Sequence, residues 1–596
     1  MNMFKKIFEL LNQFQRKKAI LLLFLILIMS LMEMASIAAI FLFIQMLIKP
    51  DLIDVNVILV EFYKLFNYFR IIEIREFQFL FGLIVFIILV MSVSIRAVTY
   101  YIQIRFSYLC EYFIGRRLVE NYLHQPYQWF FDKNTSSFGK NILSEVNKVI
   151  IHGVIPMTTI LAQGSIAITL VAFIFITNPI LAFNSLVTLS MTYALIYFLA
   201  KNFLLKFGLQ NIKANDDRFR ILSEAFNSIK EIKVNGVENL YCRYFDKPSK
   251  IYALSQSSTQ LISNLPRYFL EAVVFGGMII FLIILIKNKN DFMDIVPIVA
   301  IYIFAAYRLI PSLQQIYYSL TQISYAKPAI NLLIKDLSRL KYIRQKSNDI
   351  PRMKFLKLLK FNKVYFAYSN SKKITLKNIN ISIKAFSKVG IIGQTGSGKS
   401  TIADLILGLI SPLEGNIKID ANILTNKNIN SWQKNIGYVP QQVNLVDDTI
   451  AANIAFGVDK VDIDYRIIER CLKITNLYKF VIKELPDSYN TIVGERGIRL
   501  SGGQRQRIGI ARALYHNPQV IILDEATNSL DSSTEEKVMS SIKNLGKNIT
   551  IIIIAHRLST LKDCDKLFLI DQGEVKAEGT YNELVSKNKK FKNYKH

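Results

Sequence analysis

The sequence predicts a multi-domain membrane protein in which an all-α, six-helix transmembrane domain is followed by a soluble α/β domain. Three features carry that expectation. Six apolar runs are each about 20 residues long, enough to cross a bilayer as a helix. A charged stretch follows the last of them. Beyond it, short β-branched strands alternate with amphipathic segments. A hydrophobic fraction of 52% and a mean hydropathy of +0.28 agree that part of the chain lies in lipid.

The apolar runs fall near residues 19–47, 77–103, 154–177, 180–204, 265–286 and 292–318. Asn178-Pro179 and the segment Lys287 to Asp291 make short turns, whereas long connections follow the second and fourth runs. Those long connections carry Arg105, Arg116, Arg117, Lys140 and Lys148 in one, and Lys213, Arg218, Arg220, Lys230 and Lys233 in the other. The positive-inside rule therefore puts them, both termini and the soluble domain in the cytoplasm. Cytoplasmic Lys and Arg of this kind account for the net charge of +28 without a nucleic-acid partner. The basic N-terminus is too long in its apolar part, and too poor in small residues, to be a cleaved signal peptide, so it is expected to stay as the first span. Between spans one and two, Val57, Val60, Phe66, Phe69 and Ile72 keep helical spacing. They predict either a short amphipathic helix at the outer membrane face or an extension of the neighbouring spans. Cys110, Cys242, Cys471 and Cys564 lie far apart, with no metal-ligand or redox spacing. The pattern turns charged between Lys327 and Pro351, which gives domain bounds of 1–335 for the membrane part, 336–351 for a linker and 352–596 for the soluble part.

The soluble part carries the chemistry. A strand ending at Ile392 runs into Gly393-Gln394-Thr395-Gly396-Ser397-Gly398-Lys399-Ser400 and then an apolar helix, a Walker A loop in the context it requires. Its glycines let backbone N–H groups turn toward phosphates at a helix N-terminus. Lys399 suits the β- and γ-phosphates of a nucleotide, and Ser400 suits Mg²⁺. The buried-strand pattern Val520 to Leu523 ends in Asp524 and Glu525, adjacent carboxylates that a strand would point in opposite directions. Asp524 suits the Mg²⁺ shell and Glu525 suits polarising an attacking water.

Leu500-Ser501-Gly502-Gly503-Gln504 matches the signature of ABC transporters residue for residue, and here the chain resembles that family. The resemblance implies an ABC nucleotide-binding domain that hydrolyses ATP with Mg²⁺. In that family the signature of one subunit closes over the nucleotide held by the Walker loop of the other, so Ser501, Gly502, Gly503 and Gln504 imply a homodimer. It further implies Tyr368 as the aromatic on adenine, Thr401 beside the phosphates, and Gln441, after Tyr438-Val439-Pro440, as a residue serving both metal and water. Asp531 falls in the D-loop and His556 at the γ-phosphate sensor. The D-loop reads Asn528-Ser529-Leu530-Asp531 where Ser-Ala-Leu-Asp is commoner, and Ala385-Phe386-Ser387 replaces a usual Gly-Glu turn; neither touches a catalytic atom. Gly494-Glu495-Arg496-Gly497 resembles the X-loop of exporters, with Phe130 to Gly139 and Ser223 to Gly236 as candidate coupling helices.

In the membrane part, Arg96, Arg267 and Arg308 lie within or at the inner end of apolar spans. Arginine facing lipid costs about 2.5–3.5 kcal/mol on insertion scales. The three therefore either line a cavity suited to an anion, a diphosphate above all, or snorkel to the inner interface. Ile95-Arg96-Ala97, Asn264 to Glu271, Tyr307 to Ser312 and Glu33 resemble the PglK-type flippases of bacterial protein N-glycosylation. That resemblance implies movement of a polyprenyl-diphosphate-linked oligosaccharide from the cytoplasmic to the periplasmic leaflet of an inner membrane, with the three arginines on the diphosphate. It also implies an outer amphipathic helix within Asp54 to Ile72. The rival expectations are an exporter of another amphiphile, such as lipid A, a drug or a peptide, and an ABC-type channel regulator.

Overall fold

The computed structural model describes residues 3–48, 60, 61, 63, 74–131, 133–177, 179–287, 292–339, 351–368, 373–526, 532–544, 549–555 and 561–587. The predicted outer amphipathic segment lies almost wholly outside them, as do Asp531 and His556. Two compact units emerge: Met1–Gln125 with Trp129–Ile343, and Arg344–His596 with Pro126–Gln128.

The first unit is all helix. After a short helix Met3–Leu10, the long helices are Gln13–Ile48, Ile74–Leu123, Ile155–Thr177, Pro179–Asn227, Glu238–Lys287 and Phe292–Arg339. Each contains one predicted apolar run, and most extend well beyond it. Among the described residues, three helical stretches are long and apolar enough to cross a membrane: Gln13–Leu47, Ile74–Leu123 and Thr135–Ile176. The segment expected to begin the linker is helical as far as Arg339. Its apolar residues explain this: Ala326, Ala329, Ile330 and Leu333 are buried on one helical face, so the charged residues among them mark the solvent side of an amphipathic helix rather than a break. The two candidate coupling segments form short helices. Thr135–Gly139 falls in the first, and Ile229–Asn235 in the second, closed by Gly236 in the left-handed conformation at φ 62°. Trp129 stacks on Phe138 at 5.3 Å beside the first.

The helix before Ile155 widens into π-helical turns at Lys140–Glu145 and Ile150–Val154. Such turns shift which side chains share a face. Here Lys140 donates to Asp216 at 2.8 Å, Lys148 to Asn211 at 2.7 Å, and His152 pairs with Gln322 at 2.6 Å.

Pro266 sits inside helix Glu238–Lys287. Lacking an N–H, it leaves the carbonyl four residues earlier without a helical donor. That carbonyl belongs to Ile262, and the buried Tyr317 hydroxyl donates to it at 3.2 Å from helix Phe292–Arg339. A proline inside an apolar helix is tolerated on this condition, that a neighbour supplies the missing donor.

The second unit contains two sheets. The smaller has order β2-β1-β4-β5, with β1 Leu358–Phe366, β2 Leu376–Lys384, β4 Glu414–Ile419 and β5 Asn422–Ile423 in antiparallel pairs. The larger has order β10-β9-β3-β8-β7-β6, with β3 Lys388–Gly393, β6 Ile436–Val439, β7 Val520–Asp524, β8 Thr550–Ile554, β9 Lys566–Asp571 and β10 Glu574–Gly579. All its pairings are parallel except β9 with β10. β7 and β8 are buried almost throughout, as strands covered on both faces must be. The turn before β3 places Phe386 at φ 62°, where a side chain costs about 1–2 kcal/mol relative to glycine's freedom. Thr550 Oγ1 offsets part of this by accepting the Phe386 N–H at 2.7 Å.

Replacing Tyr317 with Phe should cost about 0.6–2 kcal/mol, the range for one such buried or intramembrane hydrogen bond, and lower the thermal midpoint in detergent. In a double-mutant cycle, Pro266→Ala gives the Ile262 carbonyl its own helical donor, so Tyr317→Phe should then cost markedly less.

Candidate nucleotide site

The site forms where the parallel strands end. Ile391 of β3, Ile554 of β8 and Asp524 of β7 lie level in register, and Val439 of β6 pairs with Leu523. The segments that follow these strands therefore emerge along one edge, the usual ligand side of a parallel sheet. From β3 comes the Walker loop, from β7 Asp524 and Glu525, and from β6 Gln441.

The loop is held by close backbone approach. A Cβ at Gly393 would lie 2.1 Å from the Ile570 carbonyl oxygen, and one at Gly398 would lie 2.6 Å from Leu376 Cδ2. Gly396 and Gly398 also take φ values of 78° and 104°, which only glycine adopts at no cost. Helix Lys399–Ile406 starts directly afterwards. The Lys399 ammonium donates to the carbonyls of Gly393 and Gln394, both at 2.9 Å, and so spans the loop. Burial lowers its pKa, while the charges of Glu525 and Asp524 pull it back up. Ser397 is buried, and its hydroxyl has no hydrogen-bond partner among the described residues. The Tyr368 hydroxyl lies 3.1 Å from Thr401 Oγ1, and its ring packs edge-on against Phe366 at 5.0 Å. Gln394, Thr395 and Ser400 complete the loop and the first helical position but one.

The paired acids diverge for a reason the strand pattern did not supply. β7 ends at Asp524, and Glu525 turns into the left-handed region at φ 50°. Its N–H still donates to the Ile554 carbonyl at 2.9 Å. The chain reverses hand at the second carboxylate instead of alternating along a strand. A non-glycine residue held there carries strain of order 1–3 kcal/mol, a feature concentrated at functional sites. Gln441 Nε2 donates to Glu525 Oε2 at 2.7 Å, so the two residues form one polar unit beside the loop.

Two further groups belong to this edge. Asp404 lies one turn beyond Ser400, at i,i+4 on the same helical face. Burial, with the charge of Asp524 beside it, pushes its carboxyl up to about 6. Burial, with the Asp524 and Asp404 charges next, also raises the Tyr438 phenol, which hydrogen-bonds Asp524. The i,i+4 spacing from Ser400 was available in the sequence to find Asp404. Tyr438 had no comparable signal.

Ser501 caps the 14-residue helix Gly502–Tyr515. Gln504 N donates to Ser501 Oγ at 3.2 Å and Ser501 N to Gln504 Oε1 at 2.8 Å, a reciprocal capping box. Gly502 and Gly503 form the first turn of that helix. Among the described residues, no hydrogen bond joins this turn to the Walker loop. Just upstream, Gly494, Arg496 and Gly497 take φ of 77°, 52° and 69°.

In the membrane unit, Arg96 and Arg267 lie on different helices, each beside a carboxylate. Arg96 pairs with Glu33 at 3.2 Å and Arg267 with Glu271 at 2.6 Å. Arg308 lies in helix Phe292–Arg339, with its side chain outside the described residues.

The nucleotide-side residues fit a phosphate and a divalent cation: a glycine cradle, a lysine across it, a helix-start serine and a strand-end aspartate. Asp404 gives a pH test. The folded carboxyl binds its proton up to about pH 6 and the unfolded one only to about pH 4, so this group's contribution to stability falls as pH rises through that window. Asp404→Asn should therefore be more stable than the parent at about pH 7.5 without nucleotide, with the advantage shrinking toward pH 4; thermal unfolding across a pH series measures it.

The chain matches the ABC transporter pattern over residues 376–528 and the ABC transporter transmembrane region over residues 73–312. An ATP-dependent lipid A-core flippase of Ralstonia nicotianae is 28% identical over 482 residues, 79% of each chain. A protein of the same name from Alkalilimnicola ehrlichii is 38% identical over 231 residues, 39% of each. The Ralstonia protein apart, the chain spans between 39% and 64% of the length of several curated relatives that it matches. The solved structure of a bacterial Atm1-family ABC exporter with ATP bound covers 98% of both chains, with a TM-score of 0.77 at 20% identity, and so shares the fold. With helical transmembrane region and nucleotide-binding domain both matched in order, the chain belongs to the ABC transporters, of the exporter type.

Proposed function

We propose that the chain works as a homodimeric, ATP-hydrolysing flippase for a lipid whose headgroup carries phosphate, a polyprenyl-diphosphate-linked oligosaccharide in a bacterial inner membrane. For the ATPase, Lys399 and the loop N–H groups hold the phosphates, Thr401 lies beside them, and Tyr368 stacks on the adenine. Mg²⁺, held by Ser400 and Asp524 with Gln441 near, would neutralise charge on the phosphate oxygens. Glu525, oriented by Gln441 at 2.7 Å, polarises the attacking water, with His556 as the phosphate sensor. The half-buried first turn of helix Gly502–Tyr515 suits an anion. As the signature match implies, it serves the nucleotide held by a second copy, with Asp531 as the D-loop residue of that arrangement.

The observation that carries the substrate class is the depth of the arginines. Counted at 1.5 Å per residue, Arg96 lies about 33 Å from Ile74 and Arg267 about 30 Å from Lys287, the outer helix ends under the positive-inside reading. Arg308 lies about 24 Å from Phe292. Across a hydrocarbon core of about 30 Å, these positions fall at or near the inner leaflet's headgroups. A substrate headgroup entering from the cytoplasmic side meets them first. Side-chain exposures of 43% for Arg96 and 51% for Arg267 leave their guanidinium forks accessible. A second reading, export of lipid A, is favoured by the names of the relatives and shares the phosphate chemistry.

Reconstitution in liposomes separates the two, with diphosphate-linked oligosaccharide and lipid A offered side by side. The oligosaccharide lipid should be translocated with ATP. The Arg96→Ala/Arg267→Ala double variant should lose at least tenfold of that rate while keeping basal ATP hydrolysis. Undiminished flipping by this variant overturns the substrate reading, and preferential transport of lipid A replaces it with the second.

A further inference from the structure

Both described membrane arginines are already engaged by carboxylates, and the manner of engagement is informative. Arg96 NH1 donates to Glu33 Oε1 across 63 residues of sequence, from one long helix to another. The Glu33 side chain is only 4% exposed. Arg267 uses Nε toward Glu271 Oε1, one turn along its own helix. A guanidinium offers five N–H donors in a planar fork. In each case one nitrogen meets the carboxylate, and among the described residues no other hydrogen bond occupies the rest. An acid at the centre of an apolar span costs about 2.5–3.5 kcal/mol on insertion scales, and less toward its inner end, whereas helix packing alone would be served as well by an apolar residue at either position. Two such acids, each beside an arginine at about the same depth, call for a role in the arginines' chemistry.

We propose that Glu33 and Glu271 are specificity-determining residues: resident counter-ions that hold the two guanidiniums until a phosphorylated lipid headgroup displaces them. The inference rests on the reading of Arg96 and Arg267 as headgroup ligands. Binding is then an exchange, with arginine–carboxylate bonds given up for arginine–phosphate bonds. A diphosphate, with more charge and more acceptor oxygens, gains from engaging both forks. A singly charged phospholipid gains too little from the exchange to displace both carboxylates, and this repulsive element excludes the anionic lipids that surround the protein. The same carboxylates recapture the arginines as the headgroup leaves, which favours release. Glu33 acts between helices, so exchange at Arg96 also removes one polar tie between the first and second long helices. Glu271 acts within its own helix, so exchange at Arg267 loosens no second helix.

The test uses the full chain in phosphatidylcholine nanodiscs, with farnesyl diphosphate as probe and phosphatidylglycerol as competitor. Probe-stimulated ATP hydrolysis is followed for Glu33→Gln, Glu271→Gln and the pair. Each single variant should lower the half-saturating probe concentration by about fivefold or more, the pair by more, with saturated turnover reduced. Phosphatidylglycerol, inert toward the parent, should compete in the variants. A half-saturation that is unchanged or raised, with phosphatidylglycerol still inert, makes the carboxylates structural and overturns the proposal. Glu271 is partly exposed, so its variant decides the matter even where Glu33→Gln fails to fold. Arg96→Ala/Arg267→Ala tells the two layers apart: parental half-saturation in that variant defeats the headgroup reading itself, whereas its loss beside unaltered glutamate variants defeats only the exchange.

Discussion

The closest constraint in the soluble domain is the contact between Gly393 and the Ile570 carbonyl, where a single added carbon would approach to 2.1 Å. β3 and β9 meet there with no side chain between them, so the Walker loop leaves the sheet at a fixed height. The rest of the site is referred to that height. Lys399 spans the loop through the Gly393 and Gln394 carbonyls, and the register across β8 and β7 sets Asp524 level with Ile391. Glu525 turns out of the strand to meet Gln441. Cations and carboxylates thus face a common space because five parallel strands share one edge, with little left to flexible loops. Backbone packing of this kind lends rigidity that long side chains could not.

The membrane unit solves the opposite problem, polar groups in an apolar medium, by pairing. Tyr317 supplies the donor that Pro266 removes. Beyond the apolar runs, Gly208 lets two helices approach until a Cβ would lie 2.3 Å from the Tyr325 carbonyl, a closeness that only glycine allows. Glu33 and Glu271 engage the arginines. Groups paired this way offset each other's charge, and their pairing is also what a charged substrate would have to break.

Much of this was legible in the sequence because the physics is local. The Walker loop needs glycines next to a strand and a helix, all contiguous, and the apolar runs report six long helices directly. Ser501 and Gln504 lie three apart, so their capping box could be read as well. Features that depend on distant segments were not legible. Nothing near Glu33 in the chain points to Arg96, whereas Glu271 sits at i,i+4 from Arg267 and was open to the same reading as any helical ion pair. The turn at Glu525 hides behind a strand-like run, since its N–H still bonds Ile554 of β8 as a strand residue would, while its partner Gln441 lies 84 residues away. The helix through Arg339 was masked by its charges, since the buried face of an amphipathic helix is defined by what packs on it.

The account depends most on Glu525 acting as the base that Gln441 orients. The direct measurement is ATP hydrolysis by purified Glu525→Gln alongside nucleotide binding by the same preparation. ATP should bind with near-parental affinity while turnover falls by about 100-fold or more, as expected for loss of a positioned base. Hydrolysis at the parental rate by that variant would contradict the assignment and with it the arrangement of the site described above.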